Sequence, residues 1–310
     1  MFKPRPLPAN HKPFASLPVR LITVGRGSEQ MAVHVSGPLL DRLPVVCLAG
    51  YHRNMADWGE FVRLGAQALR DAHPFILIDF KGRGRSSNRA QMGSYSSLND
   101  ASDVIEIMRA LAVDRALFVG QGYGGQVLMA LAAQKPGLIA GSVLLDAGPV
   151  SDPRALVRLR ETQKDLSGVR GEASLKPMLR RMVAADYPGS PDTVLEALAL
   201  RTHFVDPKGR LQPLFDRHLI KLLEPFDLDD ILVAQWQLFD ALGSAPLMVM
   251  RTQLTQQLRR ETFDEMLRRR RDAEGYIIEN QGSPALLESV EDVQPIADFI
   301  RQVAGAKKAA

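Results

Sequence analysis

Apolar and polar positions follow two rhythms along this chain. Short continuous apolar runs stand at 44–48 (PVVCL), 75–80 (FILIDF), 116–119 and 142–145. Runs of that length predict strands buried on both faces. Between them, apolar residues recur every three or four positions at 57–69, 98–111 and 123–133, which predicts helices. Residues 19–24 and 31–35 predict a first pair of strands, and Asn99 or Asp100 is expected to cap the helix at 98–111. Strands separated by helices imply a parallel sheet covered on both faces.

The alternation stops near Pro149. Residues 151–242 are strand-poor and helical in pattern, broken at Pro188, Pro191, Pro207 and Pro213. It resumes with a strand at 246–250 (PLMVM), a helix at 261–271, a strand at 276–279 and a helix at 290–303. The expected organisation is a Pro-rich arm at 1–18, an α/β core made of 19–150 and 243–310, and a helical cap at 151–242.

Composition narrows the classes. The 310 residues are 45% hydrophobic and 24% charged, which fits one globular α/β domain carrying an insertion. The net charge of +4 comes from scattered residues, and the one dense run, Arg268 to Arg271, reads as a solvated helix face. No nucleic-acid partner is expected. The single cysteine, Cys47, excludes an internal disulfide and lies in an apolar run, so it reads as a buried strand position; no metal site is expected. No apolar run approaches 18 residues and the first residues lack a signal-peptide core, so no membrane partner and a cytoplasmic location are expected.

Three stretches carry candidate chemistry. Ala49-Gly50-Tyr51 follows a buried strand, with Trp58 further on. Residues 79–86 read DFKGRGRS, and residues 119–125 read VGQGYGG at a strand-to-helix junction. In this order and at this spacing they resemble the α/β-hydrolase family over roughly residues 20–305, in its small-molecule esterase and lactonase-like branch. The family usually has His-Gly-x at the first stretch, where backbone N–H groups supply half an oxyanion hole. It has D-x-x-G-x-G-x-S at the second and the nucleophile elbow G-x-S-x-G-G at the third. The resemblance implies an α/β-hydrolase fold: a mostly parallel eight-stranded sheet, helices on both faces and a helical cap.

The family's mechanism needs a nucleophile, an acid and a histidine last in the chain. Here the elbow position is Gly122, the acid position aligns with Gln256, and the histidine position aligns with Ser283. The six histidines end at His218, and no serine lies between Ser102 and Ser142, so no shift of register restores the set. Asp146, after the strand at 142–145, occupies a position some families use for the acid. Glycine relaxes an elbow that is strained for any other residue.

The expectation is a non-catalytic protein of hydrolase fold, binding a small carbonyl- or carboxylate-bearing ligand under its cap without a cofactor. Gly50, Tyr51, His52, Gly122, Tyr123 and His203 are the expected ligand-binding residues, with backbone donors at Tyr51 and Tyr123. One alternative is residual chemistry on an ester or lactone, with His52 as acid or base. A second reads Gly120-x-Gly122-x-x-Gly125, with Asp146 about 21 residues on, as an NAD(P) fingerprint. A third is a pure interaction module.

Overall fold

Successive residues of each central strand point to opposite faces of one sheet, and each face is covered by its own apolar layer. The computed structural model describes residues 11–306, apart from 26, 40–41, 71–72, 168, 170–171 and 244. The sheet contains β1 (Arg20–Thr23), β2 (Gln30–Ser36), β3 (Val45–Leu48), β4 (Phe75–Ile78), β5 (Ala116–Gln121), β6 (Ile139–Leu145), β9 (Leu247–Thr252) and β10 (Glu274–Ile278). Their spatial order is β1-β2-β4-β3-β5-β6-β9-β10. β1 and β2 are antiparallel to each other, β2 is antiparallel to β4, and the other pairs are parallel.

In β3, Val45 and Cys47 join one layer, while Val46 and Leu48 join the other. The first layer takes residues from α1 (Gly59–Ala68) and α10 (Val290–Ala306), including Phe61 and Phe299. The second takes residues from α2 (Ser97–Ala110), α3 (Tyr123–Gln134), α8 (Trp236–Asp240) and α9 (Arg260–Arg269). Cys47 is fully buried, as its apolar run implies.

Between β6 and β9 the chain forms α4 (Pro153–Ser167), α5 (Glu172–Ala184), α6 (Asp192–Leu200), a hairpin of β7 (His203–Val205) and β8 (Leu211–Pro213), and α7 (His218–Lys221). The short hairpin is an addition to the strand-poor, helical pattern expected there. Asp206 explains it locally: Asp206 Oδ1 accepts the N–H groups of Lys208 and Arg210 at 2.9 Å, and Gly209 takes φ +70°.

Other expectations shift in detail. Ser96, not Asn99 or Asp100, caps α2, its hydroxyl accepting from Asn99 N at 3.2 Å. Asp100 is fully buried, turned inward to a charge cluster. The last strand begins two residues early, at Glu274. Of the N-terminal arm, residues 1–10 lie outside the described residues, and Phe14 and Leu17 are buried in the first apolar layer. The arginine run is paired at the surface, with Arg268 and Arg269 on Glu265 and Arg270 on Asp272.

Candidate functional site

Five turns at the carboxyl ends of parallel strands meet at one cavity of about 540 Å³. Gly50 to His52 follow β3, Gly122 follows β5, Asp146 follows β6, Gln256 and Gln257 follow β9, and Ser283 follows β10. A parallel sheet places such turns side by side, which is where open α/β sheets hold their ligands. Leu156, Leu159, Met178 and Met182, from α4 and α5, line the opposite wall.

The DFKGRGRS turn lies behind the lining and meets Tyr51 and Tyr123 through Arg83. Its first residue, Asp79, is fully buried and accepts the backbone N–H groups of Met55 at 2.7 Å and Arg85 at 2.9 Å. Gly84 takes φ +52° against this carboxylate, and a Cβ there would overlap it. Ser86 Oγ donates to Asp79 O at 2.6 Å and accepts Ala32 N at 2.8 Å. The motif is therefore a turn wrapped around one buried carboxylate. Inside it, the fully buried Arg83 guanidinium lies among the rings of Tyr51, Phe80, Tyr95 and Tyr123, 5.1–5.8 Å from their centroids. Arg83 Nη1 and the Tyr123 hydroxyl both donate to Asp100, at 3.3 and 2.8 Å. Composition gave no signal for this cluster, because its members are far apart in sequence.

The elbow is a sharp strand-to-helix turn. Gly122 takes φ +53°, ψ −115°, and its N–H donates to Leu145 O at 2.8 Å. Helix α3 starts at once, so the Tyr123 N–H lies in the orphan first turn. Among the described residues neither Tyr123 N nor Tyr51 N finds an acceptor. The following glycines allow close approach: a Cβ at Gly124 would overlap the Leu48 carbonyl, and one at Gly125 would overlap Ala147. Helix–strand packing thus accounts for the glycine spacing that also matches a dinucleotide fingerprint.

Asp146 is buried at φ +49°. Its Oδ1 accepts Thr252 N at 2.7 Å and its Oδ2 accepts Thr252 Oγ1 at 2.8 Å. Burial raises its carboxyl to about 6, against the opposing pull of Thr252 and the nearby Ser283 hydroxyl. The buried Ser283 Oγ makes no hydrogen bond of good geometry. The carboxylate that faces the aligned histidine position is therefore Asp146. Gln256 is exposed on the cavity rim, and it is its neighbour Gln257 that reaches over Gly122, its amide oxygen crowding the point a Cβ would occupy.

His52 lies on the cavity wall with its ring edge-on to Phe215. Burial, with Arg53, His203 and Arg83 nearby, holds its imidazole well below the usual range, so it is neutral. His203 is not on the wall. It is buried behind Phe215, bonded to Thr202 Oγ1 at 3.0 Å and to Gln163 Oε1 at 3.1 Å, and burial lowers its pKa to about 3. Its place in a cap hairpin pointed to the pocket, but the strand turns its ring into the packing beneath. Gly50, Tyr51, Gly122 and Tyr123 all line the cavity.

A second recess, of about 630 Å³, opens beside the cavity and includes Arg154, Arg251 and Arg259. Arg154 and Arg259 both hold Asp152, so this is a salt-bridged rim. Among the described residues no cluster of metal-binding side chains occurs, and no helix is long and apolar enough to cross a membrane.

An eight-stranded, mostly parallel sheet with a glycine-rich strand-to-helix elbow at a cavity defines an α/β-hydrolase architecture. The chain belongs to the alpha/beta hydrolase family, whose model matches residues 45–301. It is 28% identical over 197 residues to a putative carbamate hydrolase RutD of Caulobacter sp. (strain K31), covering 63% of this chain and 69% of that protein. It is 25% identical over 174 residues to a 2-hydroxy-6-oxononadienedioate/2-hydroxy-6-oxononatrienedioate hydrolase of Paraburkholderia phymatum, covering 56% of this chain and 60% of that one. The crystal structure of an alpha/beta hydrolase from Novosphingobium aromaticivorans superimposes with a TM-score of 0.79 at 24% identity, covering 93% of this chain and 99% of that one; this likeness speaks for the fold.

Proposed function

We propose that this protein is a non-catalytic member of its family that binds a small carbonyl-bearing molecule in the cavity beneath residues 151–242, which act as a cap. The observation that carries the reading is Gly122 at the elbow: the position that would attack a substrate has no side chain, and an amide oxygen of Gln257 crowds the vacancy. The groups needed to activate a nucleophile are absent with it. Ser283 faces Asp146, and a serine cannot take and return a proton near neutral pH as an imidazole does. What remains is a set of backbone donors, Tyr51 N and Tyr123 N, beside an apolar wall. Fold alone does not supply the hydrolytic activity named for the relatives.

The test is hydrolysis of short-chain p-nitrophenyl esters by the native protein and by the double variant Gly122→Ser with Ser283→His. The expected result is a silent native protein and turnover in the variant, with Asp146 as the acid of the restored set. Native turnover that disappears in His52→Gln overturns the non-catalytic reading and assigns the chemistry to that imidazole.

A further inference from the structure

The carboxylates that line the cavity differ in how they are held. Of the three other acids on its wall, Asp152 is held by Arg154 and Arg259 and Asp186 by Arg158. Asp146 has no such partner among the described residues. The guanidinium that bears on it, Arg251, is engaged by the carbonyls of Leu258, Thr252 and Gln253, at 2.9–3.0 Å. Each Asp146 oxygen accepts one bond from Thr252 and retains a free lone pair. Beside it, the buried Ser283 hydroxyl has no partner of good geometry. The same cavity carries Tyr51 and Tyr123, whose backbone N–H groups lack acceptors.

The cavity thus offers backbone donors without acceptors on one side and, on the other, a carboxylate with acceptor capacity beyond its two bonds from Thr252. A buried acceptor without a donor costs about 1–3 kcal/mol, so a ligand that satisfies both sides is favoured over one that satisfies only the first. We propose that the site selects a carboxamide-type ligand with an apolar tail, its C=O held by Tyr51 N and Tyr123 N and its N–H donated to Asp146. This rests on the reading of the cavity as a ligand site. An ester brings the carbonyl and no N–H. A carboxylate sets a second negative charge beside Asp146, which makes no direct ion pair among the described residues. The tail lies along Leu156, Leu159 and Met182.

The experiment is calorimetric titration at pH 8 with three probes of matched tail, octanamide, methyl octanoate and octanoate, into the native protein and Asp146→Asn. The expected result is octanamide binding at least about tenfold tighter than the other two, as one charge-assisted hydrogen bond gives. In Asp146→Asn the ratio of amide to carboxylate affinity falls by about the same factor, because the acceptor is weakened and the repulsion is gone. A general loss of fold lowers all three affinities together and leaves that ratio unchanged. Ester or carboxylate binding as tight as amide in the native protein, or a ratio unmoved in an Asp146→Asn protein that unfolds as cooperatively as the native one, overturns the assignment and leaves the cavity a ligand site. Failure of all three probes to bind counts against both readings. Turnover of methyl octanoate by the native protein overturns the non-catalytic reading, while the amide assignment still stands or falls on the affinity ratio.

Discussion

Thr252 holds both carboxyl oxygens of Asp146, its N–H at 2.7 Å from Oδ1 and its hydroxyl at 2.8 Å from Oδ2. Two bonds to a buried carboxylate lower its pKa, yet burial outweighs them, and the group titrates near 6 where the ordinary value is 3.8. Native Asp146 therefore binds its proton more tightly than the unfolded chain does. Its contribution to stability is largest at low pH and is lost as pH rises through about 6. Asp146→Asn removes this loss. The stability of the variant relative to wild type should increase by about 2 kcal/mol between pH 4 and pH 7.5, read from urea unfolding. A pH-independent difference would count against a buried, uncompensated carboxylate.

His203 acts with the opposite sign. Burial lowers its pKa from 6.5 to about 3, so the folded protein keeps it neutral while the unfolded chain protonates it. Its contribution is fully present above pH 6.5 and is lost as pH falls, by about 2 kcal/mol at pH 5. His203→Gln should abolish that acid sensitivity while keeping a bond to Gln163 or Thr202. Because Asp146 gains over the same range, wild-type stability between pH 5 and pH 7 should be flatter than that of either single variant.

Gly122→Ala tests the elbow. A left-handed conformation costs a non-glycine residue about 1–2 kcal/mol, and the new Cβ must also displace the Gln257 amide. Gln257 is exposed, so its flexible end can swing away. The expected loss is about 1–2 kcal/mol by urea unfolding, and most of it should persist in a Gln257→Ala background. A loss that vanishes there would assign the cost to crowding and not to the backbone.

Gly84→Ala should be far more damaging. The conformation at φ +52° is unfavourable, and the Cβ meets the Asp79 carboxylate, which the backbone of Met55 and Arg85 fixes in place. No flexible neighbour can yield. A loss of more than about 3 kcal/mol, or failure to fold, is the expected outcome in expression and thermal unfolding.

Tyr123→Phe removes a donor to Asp100 and keeps the ring on the cavity wall. Arg83 and Arg89 still hold that carboxylate, so the cost should be about 1–2 kcal/mol in urea unfolding, with octanamide affinity unchanged. A loss of affinity would make the phenol, and not only the backbone N–H, part of the ligand site.

The sequence by itself determined the order of the elements along the chain and the burial of the central strands. Apolar runs such as 44–48 and 75–78 can only be shielded on two faces, and three glycine-bearing turns at fixed spacing placed the elbow. It also determined that position 122 has no side chain, because composition cannot be rearranged by folding. The tertiary structure alone decided which residues share the cavity. Asp146, Gln257 and Ser283 follow three different strands, and only the parallel packing of β6, β9 and β10 brings their turns together. The Arg83 cluster and the inward turn of His203 belong to the same class: a strand fixes which face a side chain takes, and its depth depends on what folds over it. Charge pairing followed for the same reason, since Arg251 near Asp146 is turned to the backbone carbonyls around it.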